Sequence, residues 1–421
     1  MSTFKQAPHN LLVIPGPIEV SDEVLYANAL PPLAHAGAEF IPLMGDAIRM
    51  TREVVFTQTG QPFLIAGSGT LGWDQVAANL IEPGEDALLL NCGYFGDSFA
   101  DCLRSYGANV HELRADFGKA VSQHELEAAL KAKKYKLVCF THVDTSTAVL
   151  SDAKMIGEVA KRLAPESLVI LDGVCSVASE EIRMDAWNID VVVSASQKGL
   201  GAPPGISVVV ASQKALKVAE TRKAPVAGYY SSWKRWLPIM HAYEAGKPSY
   251  FATPPTNLIV SYRQALLEIT KDPKLTLEDR FKAHIHAADR IRNTAKELGL
   301  KLVPADAHNT ANGMTAIYVP EGLAPSDIVS RMAKKGIVVT GGIHKENKDK
   351  YFRIGHMGVT AVNPERGDLD RVIAGLKESL AEAKASKQAS QAKVENHKLP
   401  AWRSPSAPLG GSRSIAVAAK L

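Results

Sequence analysis

The alternation of two kinds of segment between residues 63 and 210 is the feature that most restricts how this chain can fold. Short runs rich in Val, Ile and Leu predict buried strands, and the segments between them place apolar residues at helical spacing. We predict strands over residues 63–65, 87–90, 109–113, 137–141, 168–171, 189–193 and 206–210, and helices over 71–80, 98–106, 122–132 and 155–163. Strands that alternate with helices predict an α/β fold, in which a mostly parallel, seven-stranded sheet is covered by helices on both faces.

The length of the chain and the change of pattern along it predict two folded domains. Its 421 residues, 46% of them hydrophobic, are enough for more than one core. We expect an N-terminal arm over residues 1–21, a large domain over 22–270 and a smaller α/β domain over 271–385. The small domain is predicted to contain strands over 300–303, 315–319 and 337–340 and a closing helix over 369–383. The apolar periodicity disappears in the tail, residues 386–421, which we expect to be disordered.

Composition argues against several classes of function. The net charge of +4 is small, and no basic cluster is interleaved with aromatic residues, so a nucleic-acid partner is not indicated. No apolar run approaches the roughly 18–20 residues of a membrane-spanning helix. The four cysteines show no CxxC spacing, so neither a metal site nor a disulfide framework is indicated, and a reducing intracellular compartment is expected.

Four segments that follow predicted strands carry residues suited to chemistry: residues 67–70, residues 141–147, Asp172 and residues 197–198. Ligands of parallel sheets bind beyond the carboxyl ends of the strands, so we expect these segments to converge. Lys198 stands on a loop of small residues and glycines, where a bulky group could approach its amine. Such lysines form Schiff bases with carbonyl compounds, including pyridoxal 5′-phosphate (PLP). The alternative is a surface lysine on a turn.

The other segments each allow two interpretations. The turn Gly67-Ser68-Gly69-Thr70 precedes a predicted helix and is either a phosphate site or a plain capped turn. Asp172 ends a buried strand and pairs either with a protonated pyridine nitrogen or with a structural partner. Arg353 stands among apolar residues and binds either a substrate carboxylate or a structural anion. We expect the aromatic segment over residues 229–236 to line a pocket or an interface.

Taken in order, these residues resemble the fold-type I, class V PLP-dependent aminotransferases. The resemblance spans residues 11–380, and within the family the fungal alanine–glyoxylate group is the most similar. It rests on an ordered set of motifs: Ile14-Pro15-Gly16-Pro17, Gly67-Ser68-Gly69-Thr70, Asn91-Cys92-Gly93-Tyr94-Phe95-Gly96, Thr141-His142-Val143-Asp144-Thr145-Ser146-Thr147, Asp172, Ser196-Gln197-Lys198, Tyr250-Phe251-Ala252-Thr253 and Arg353-Ile354-Gly355.

The resemblance implies a role for each matching residue. Lys198 would form the Schiff base with PLP, and Asp172 would pair with the pyridinium nitrogen. Arg353 and the backbone near Gly16 would bind the substrate carboxylate. The other implied cofactor contacts are Ser68, Gly69, Thr70 and Gln197 at the phosphate, Phe95 on the ring, Thr145 near the phenolic oxygen, and Tyr250 and Thr253 donated by a second subunit.

The resemblance also implies an activity, which is ping-pong transamination between alanine and glyoxylate in a homodimer with shared active sites. Serine–pyruvate and serine–glyoxylate aminotransferases share these motifs, and we expect residues 229–236 to select the donor. A cysteine desulfurase would need a cysteine beyond Cys175, and a non-catalytic binding relative would be expected to lack Lys198 or Asp172; neither condition is met. The C-terminal Ala419-Lys420-Leu421 is similar to a peroxisomal address, so we expect recognition by an import receptor, with the cytoplasm as the alternative location.

Overall fold

The computed structural model describes residues 4–396, with side chains for residues 4–391. The strands are β1 Leu11–Leu12, β2 Gln61–Ala66, β3 Asp86–Asn91, β4 Asn109–Arg114, β5 Leu137–Thr141, β6 Val143–Asp144, β7 Val149–Leu150, β8 Leu168–Asp172, β9 Val191–Ala195, β10 Ile206–Ala211, β11 Met314–Tyr318, β12 Ile337–Val338, β13 Thr340–Gly341 and β14 Tyr351–Gly355. The helices are α1 Asp22–Asn28, α2 Phe40–Val54, α3 Gly69–Leu80, α4 Tyr94–Ser105, α5 Gln123–Ala132, α6 Ala153–Leu163, α7 Gln213–Glu220, α8 Trp233–Glu244, α9 Thr256–Thr270, α10 Leu277–Glu297, α11 Pro325–Lys334, α12 Val359–Val362 and α13 Asp368–Asn396.

The central sheet confirms the predicted fold class. Its seven strands lie in the order β2-β10-β9-β8-β5-β3-β4. Only β10 runs against its neighbours, pairing antiparallel with both β2 and β9. Strands β5, β8, β9 and β10 are buried along their whole length, which explains their continuous apolar character. The carboxyl ends of the six parallel strands therefore meet at one edge of the sheet.

The C-terminal part contains a second sheet, in which β11, β14 and β13 pair antiparallel. The N-terminal arm joins this part of the molecule, because β1 pairs parallel with β12. Gly355 in β14 then donates its backbone N–H to the carbonyl oxygen of Val13 at 2.8 Å. Leu11 and Val13 pack into the hydrophobic cluster built mainly by α10, α11, β14 and α13. The arm is thus a structural part of the smaller core.

Two predicted strands of the C-terminal part are wrong. Residues 300–303 form a single bridge, Leu302 to Ile317, because Pro304 follows and has no N–H to extend a ladder. Residues 337–340 are not one strand: β12 pairs with the arm, and β13 pairs with β14. The chain changes its pairing partner at Val339, which no local pattern reveals.

The C-terminal helix is longer than predicted. Helix α13 continues to Asn396, so the disorder expected from residue 386 is wrong for residues 386–396. This stretch is rich in Ala, Lys, Gln and Glu, which are strong helix formers. Arg331 also donates to the hydroxyl of Ser386 at 3.0 Å. The rest of the tail, including Ala419-Lys420-Leu421, lies outside the described residues.

The aromatic segment over residues 229–236 is partly helical, because α8 begins at Trp233. Trp233 and Trp236 are buried in the main core, whereas Tyr229 is 67% exposed. The guanidinium of Arg235 stacks on the Tyr229 ring, 3.9 Å from its centroid. Over residues 4–396, no helix is both long and apolar enough to cross a membrane.

Candidate functional site

A cavity of about 160 Å³ lies at the carboxyl edge of the central sheet. It brings together eight of the residues selected from the sequence: Ser68, Gly69, Thr70, Phe95, Thr145, Asp172, Gln197 and Lys198. These residues belong to segments at the ends of β2, β3, β5, β8 and β9, which all run in the same direction. The convergence expected from the sequence is therefore present in the structure.

The amine of Lys198 lies against the N-terminal arm. Its Nζ donates a hydrogen bond to the backbone carbonyl oxygen of Pro15 at 2.5 Å. The next residue, Gly16, has a φ of +116°, and a Cβ there would lie 2.2 Å from Cδ of Lys198. Burial lowers the pKa of Lys198. A lysine that loses its proton more readily is more often present as the free amine, which is the form that acts as a nucleophile and as a base.

Asp172 is buried at the end of β8 and has two direct donors. Its Oδ1 accepts the backbone N–H of Val174, and its Oδ2 accepts the indole N–H of Trp73, both at 2.9 Å. Burial raises the pKa of Asp172 to about 6, although both donors oppose this shift. Neither donor carries a charge, so a cationic ligand in the cavity would stabilise the ionised carboxylate.

The first turn of α3 provides a place for an anion. Ser68 is the N-cap residue, but its hydroxyl makes no capping hydrogen bond, in contrast to Ser122 at the start of α5. A Cβ on Gly69 would lie 2.7 Å from Cγ2 of Val174, so glycine allows the close packing of this turn. Free N–H groups and an unused hydroxyl are donors that suit a phosphate group. The buried Oε1 of Gln197, in contrast, is an acceptor without a hydrogen-bond partner among the described residues.

Phe95 is positioned by a carboxylate from another loop. It lies in the first turn of α4, whose N-cap residue, Gly93, has no side chain to cap the helix. Asp144 takes this role, because its Oδ2 accepts the backbone N–H groups of Phe95 and Gly96 at 3.1 and 3.2 Å. The other oxygen, Oδ1, accepts the backbone N–H of Ser146 at 2.9 Å. Asp144 thus ties the loop after β5 to the helix that carries Phe95.

Arg353 lies beside the cavity without lining it. Its Nε donates to the carbonyl oxygen of Gly341 at 2.9 Å, and its Nη1 donates to that of Thr145 at 3.1 Å. Burial lowers the pKa of Arg353, and among the described residues no carboxylate forms an ion pair with it. The structural ion pair is therefore not supported. A buried guanidinium bonded only to neutral carbonyls has charge available for an anionic ligand.

Tyr250 and Thr253 do not reach the cavity of their own chain. Both are exposed; Tyr250 is 65% exposed, and its ring centroid lies 5.1 Å from that of His35. The segment over residues 229–236 also contributes nothing to the lining. Within a single chain, Tyr250 and Thr253 therefore cannot make the predicted phosphate contacts in this cavity. The predicted selection of the amino donor by residues 229–236 also has no counterpart in its lining.

Three residues of the site were given no role by the sequence. Trp73 lies one helical turn after Gly69, so helical spacing could have placed it on the same face of α3. Asp144 caps α4 from a distant loop, and Cys175 lines the cavity three residues after Asp172. No local pattern predicts these last two positions.

A lysine, a buried carboxylate and an anion cradle at the carboxyl edge of a mostly parallel sheet define the site of a PLP-dependent enzyme of fold type I. The family model described as "Aminotransferase class-V" matches residues 23–354. The chain therefore belongs to the class V aminotransferases. These enzymes use PLP, and the anion cradle at Ser68 and the carboxylate of Asp172, whose two direct donors are neutral, fit that cofactor.

Individual relatives agree with the family assignment. The chain is 42% identical to alanine–glyoxylate aminotransferase 1 of Saccharomyces cerevisiae over 364 residues, which are 84% of this chain and 93% of the yeast protein. It is 28% identical to serine–glyoxylate aminotransferase of Methylorubrum extorquens, over 85% of this chain and 89% of the relative. The crystal structure of an alanine–glyoxylate aminotransferase from Nostoc sp. is similar with a TM-score of 0.82 at 27% identity, covering 90% of this chain and 97% of that one.

Proposed function

We propose that this enzyme transfers the amino group of L-alanine to glyoxylate, producing pyruvate and glycine. The observation that carries the proposal is that Lys198, Asp172 and the anion cradle at Ser68 face one cavity. The 42% identity to the yeast alanine–glyoxylate aminotransferase directs the choice of substrates.

The residues around the cavity would divide the chemistry between them. When bound, PLP supplies a carbonyl group that accepts the amino group and a ring that delocalises the electron pair left at Cα. The amine of Lys198 would act as the base that moves the substrate's Cα proton. Asp172, when ionised, would keep the ring nitrogen protonated. Because both half-reactions would use the same groups, we expect ping-pong kinetics.

The binding roles follow from the position of each residue. Arg353 and the backbone at Gly16 would bind the carboxylate that amino and oxo acids share. The phosphate would be bound by Ser68, Gly69, Thr70 and Gln197, and the ring would contact Phe95 and Thr145. This division is supported by the uncapped hydroxyl of Ser68 and by the absence, among the described residues, of a carboxylate paired with Arg353.

We further propose a homodimer in which Tyr250 and Thr253 complete the phosphate site of the partner subunit. Both residues are exposed and lie outside the cavity of their own chain. Mixing Lys198→Ala subunits with Tyr250→Ala subunits tests this, because each mixed dimer would contain one site with both residues intact. We expect the mixture to regain activity that neither variant has alone. No recovery, despite exchange of subunits, would contradict shared sites.

A donor–acceptor matrix tests the proposed substrates. Alanine and serine are each assayed with glyoxylate and pyruvate, and we expect the largest kcat/KM for alanine with glyoxylate. Serine–glyoxylate transamination is the second candidate, supported by the similarity to the Methylorubrum enzyme. A clear preference for serine would overturn the assignment of the donor but leave the proposed chemistry intact.

Replacement of Lys198 tests the chemistry itself. The purified protein should be yellow, and Lys198→Ala should remove both the colour and the turnover. Lys214→Ala is a matched control, because Lys214 also donates to a proline carbonyl oxygen, that of Pro165 at 2.8 Å, but lies outside the cavity. If Lys198→Ala still cycled between amino donors, the assignment of the base would be wrong.

The domain division and the cellular location remain proposals. A boundary near residue 271 is supported by two clusters, one with buried members from Val20 to Ile269 and one mainly from Ala287 to Ala383. For the location we propose the peroxisome, on the basis of Ala419-Lys420-Leu421. Deletion of these three residues should scatter a fluorescent fusion into the cytosol without loss of activity, and retention in peroxisomes would show that another signal operates.

A further inference from the structure

We propose that Trp73 is a positioning residue for the transamination. Its indole N–H keeps Asp172 ionised and oriented, so that the ring nitrogen of PLP stays protonated. This inference rests on the proposed function and extends it to a residue that does not take part in the chemistry directly. It begins with the hydrogen bond of 2.9 Å from Nε1 of Trp73 to Oδ2 of Asp172.

The indole contacts two aromatic rings, and the helix that carries it packs closely on the sheet. Its ring stacks on that of Phe99, with centroids 5.3 Å apart and planes inclined by 12°. It meets Phe95 edge to face at 6.5 Å. Helix α3 packs closely on β9, since a Cβ on Gly72 would lie 2.3 Å from Cγ1 of Val193. This close approach allows a side chain of α3 to reach the end of the neighbouring strand β8.

Among the described residues, Asp172 has two direct donors, the indole N–H of Trp73 and the backbone N–H of Val174. The charged and titratable groups that face this carboxylate are Asp144, which favours its protonated form, and Lys198, which favours its ionised form, with the thiol of Cys175 nearby. A hydrogen bond donated to a carboxylate favours the ionised form. Loss of the Trp73 donor would therefore shift the proton between the ring nitrogen and Asp172 towards the carboxylate. Both the ring and Asp172 would then be neutral.

A less cationic ring has two measurable consequences. Positive charge on the ring disfavours any further protonation nearby. Loss of that charge should therefore raise the pH at which the visible absorbance of the bound cofactor changes. A hydrogen bond to a charged acceptor also contributes to affinity, so the cofactor should dissociate roughly tenfold more readily. The weaker electron sink should lower kcat and leave KM nearly unchanged.

The experiment compares Trp73→Phe with Trp233→Phe in the holoenzyme. Trp233 is a close structural match: its Nε1 donates to Oε1 of Gln75 at 3.1 Å, and its ring stacks on Phe63 at 5.1 Å with an interplanar angle of 8°. Trp233 is also buried, but it lies outside the cavity. Each variant removes one buried indole N–H, so a general loosening of the core should affect both alike.

We expect an upward shift in the pH titration of absorbance and faster cofactor release for Trp73→Phe only. Equal behaviour of the two variants would overturn the proposal. If Trp73→Phe fails to fold, Phe99→Leu removes the stacking support of the indole, and it should give a smaller shift in the same direction; no shift would overturn the proposal. A wild-type protein that binds no PLP would instead contradict the proposed function.

Discussion

Gly16 leaves the space that the side chain of Lys198 occupies: a Cβ on Gly16 would lie 2.2 Å from Cδ and 2.6 Å from Nζ of the lysine. The arm residue reaches this position because Val13 is bonded on both sides, to Val338 and to Gly355. The N-terminal arm, the small sheet and the catalytic lysine of the proposed mechanism are therefore held in one arrangement.

This contact predicts that Gly16→Ala loses more than tenfold in kcat/KM and much of the yellow colour, because the methyl group would displace the amine of Lys198. Gly246→Ala is the control. Gly246 also has a positive φ, +69°, but no atom of residues 4–391 lies within 4 Å of a Cβ placed there. Gly246→Ala should lose about 1–2 kcal/mol of stability from the backbone conformation, and Gly16→Ala at least as much. Equal activity of the two variants would contradict the contact.

Replacement of Asp144 should affect stability and cofactor binding together. Asp144→Ala would leave the buried N–H groups of Phe95, Gly96 and Ser146 without their acceptor. We expect a loss of about 3 kcal/mol or more in the free energy of unfolding and weaker binding of PLP. Asp152→Ala, at the N-cap of α6, should cost only about 1 kcal/mol and leave PLP affinity unchanged. Chemical denaturation and PLP titration of both variants measure the difference.

Arg353→Ala should raise KM for alanine and for glyoxylate alike, because both carry the carboxylate that this guanidinium would bind. Loss of a charge-assisted contact predicts an increase of roughly tenfold to a hundredfold. Arg353→Lys keeps the charge but not the planar, two-pronged geometry, so it should recover only part of the affinity. An unchanged KM in Arg353→Ala would remove this residue from the substrate pocket.

Asp172 predicts an unusual dependence of stability on pH. Burial raises its pKa in the folded chain from 3.8 to about 6, so its contribution to stability is complete below pH 3.8 and is lost as the pH rises through about 6. Without PLP, Asp172→Asn should therefore gain stability relative to the wild type between pH 4 and pH 7, by about 2.4 kcal/mol.

Denaturation of both cofactor-free proteins at the two pH values measures this gain. Saturating PLP should reverse it, because the ring cation would pair with the ionised carboxylate of the wild type only. A stability difference that does not change with pH would show that the pKa of Asp172 is not raised.

Most of the large domain could be predicted from local pattern. Strands such as β5 and β8 are continuous apolar runs, and buried parallel strands leave this signature in any sequence. The turn at Ser68, Asp172 and Lys198 could be selected because each directly follows or ends such a strand, and parallel strands bring their carboxyl ends together. The apolar pattern predicts too short a helix α13, because the surface positions at its C-terminal end carry no apolar period.

The class of fold, the edge of the sheet where the site lies and the residue types suited to PLP follow from the amino-acid sequence, because hydrophobic period and strand direction are local properties. The distant groups that complete the site become apparent in the folded chain. The carbonyl of Pro15 on Lys198, the indole of Trp73 on Asp172 and the carboxylate of Asp144 under Phe95 all join separate elements. Such contacts depend on how elements pack around one another, and no local period in the chain encodes that packing.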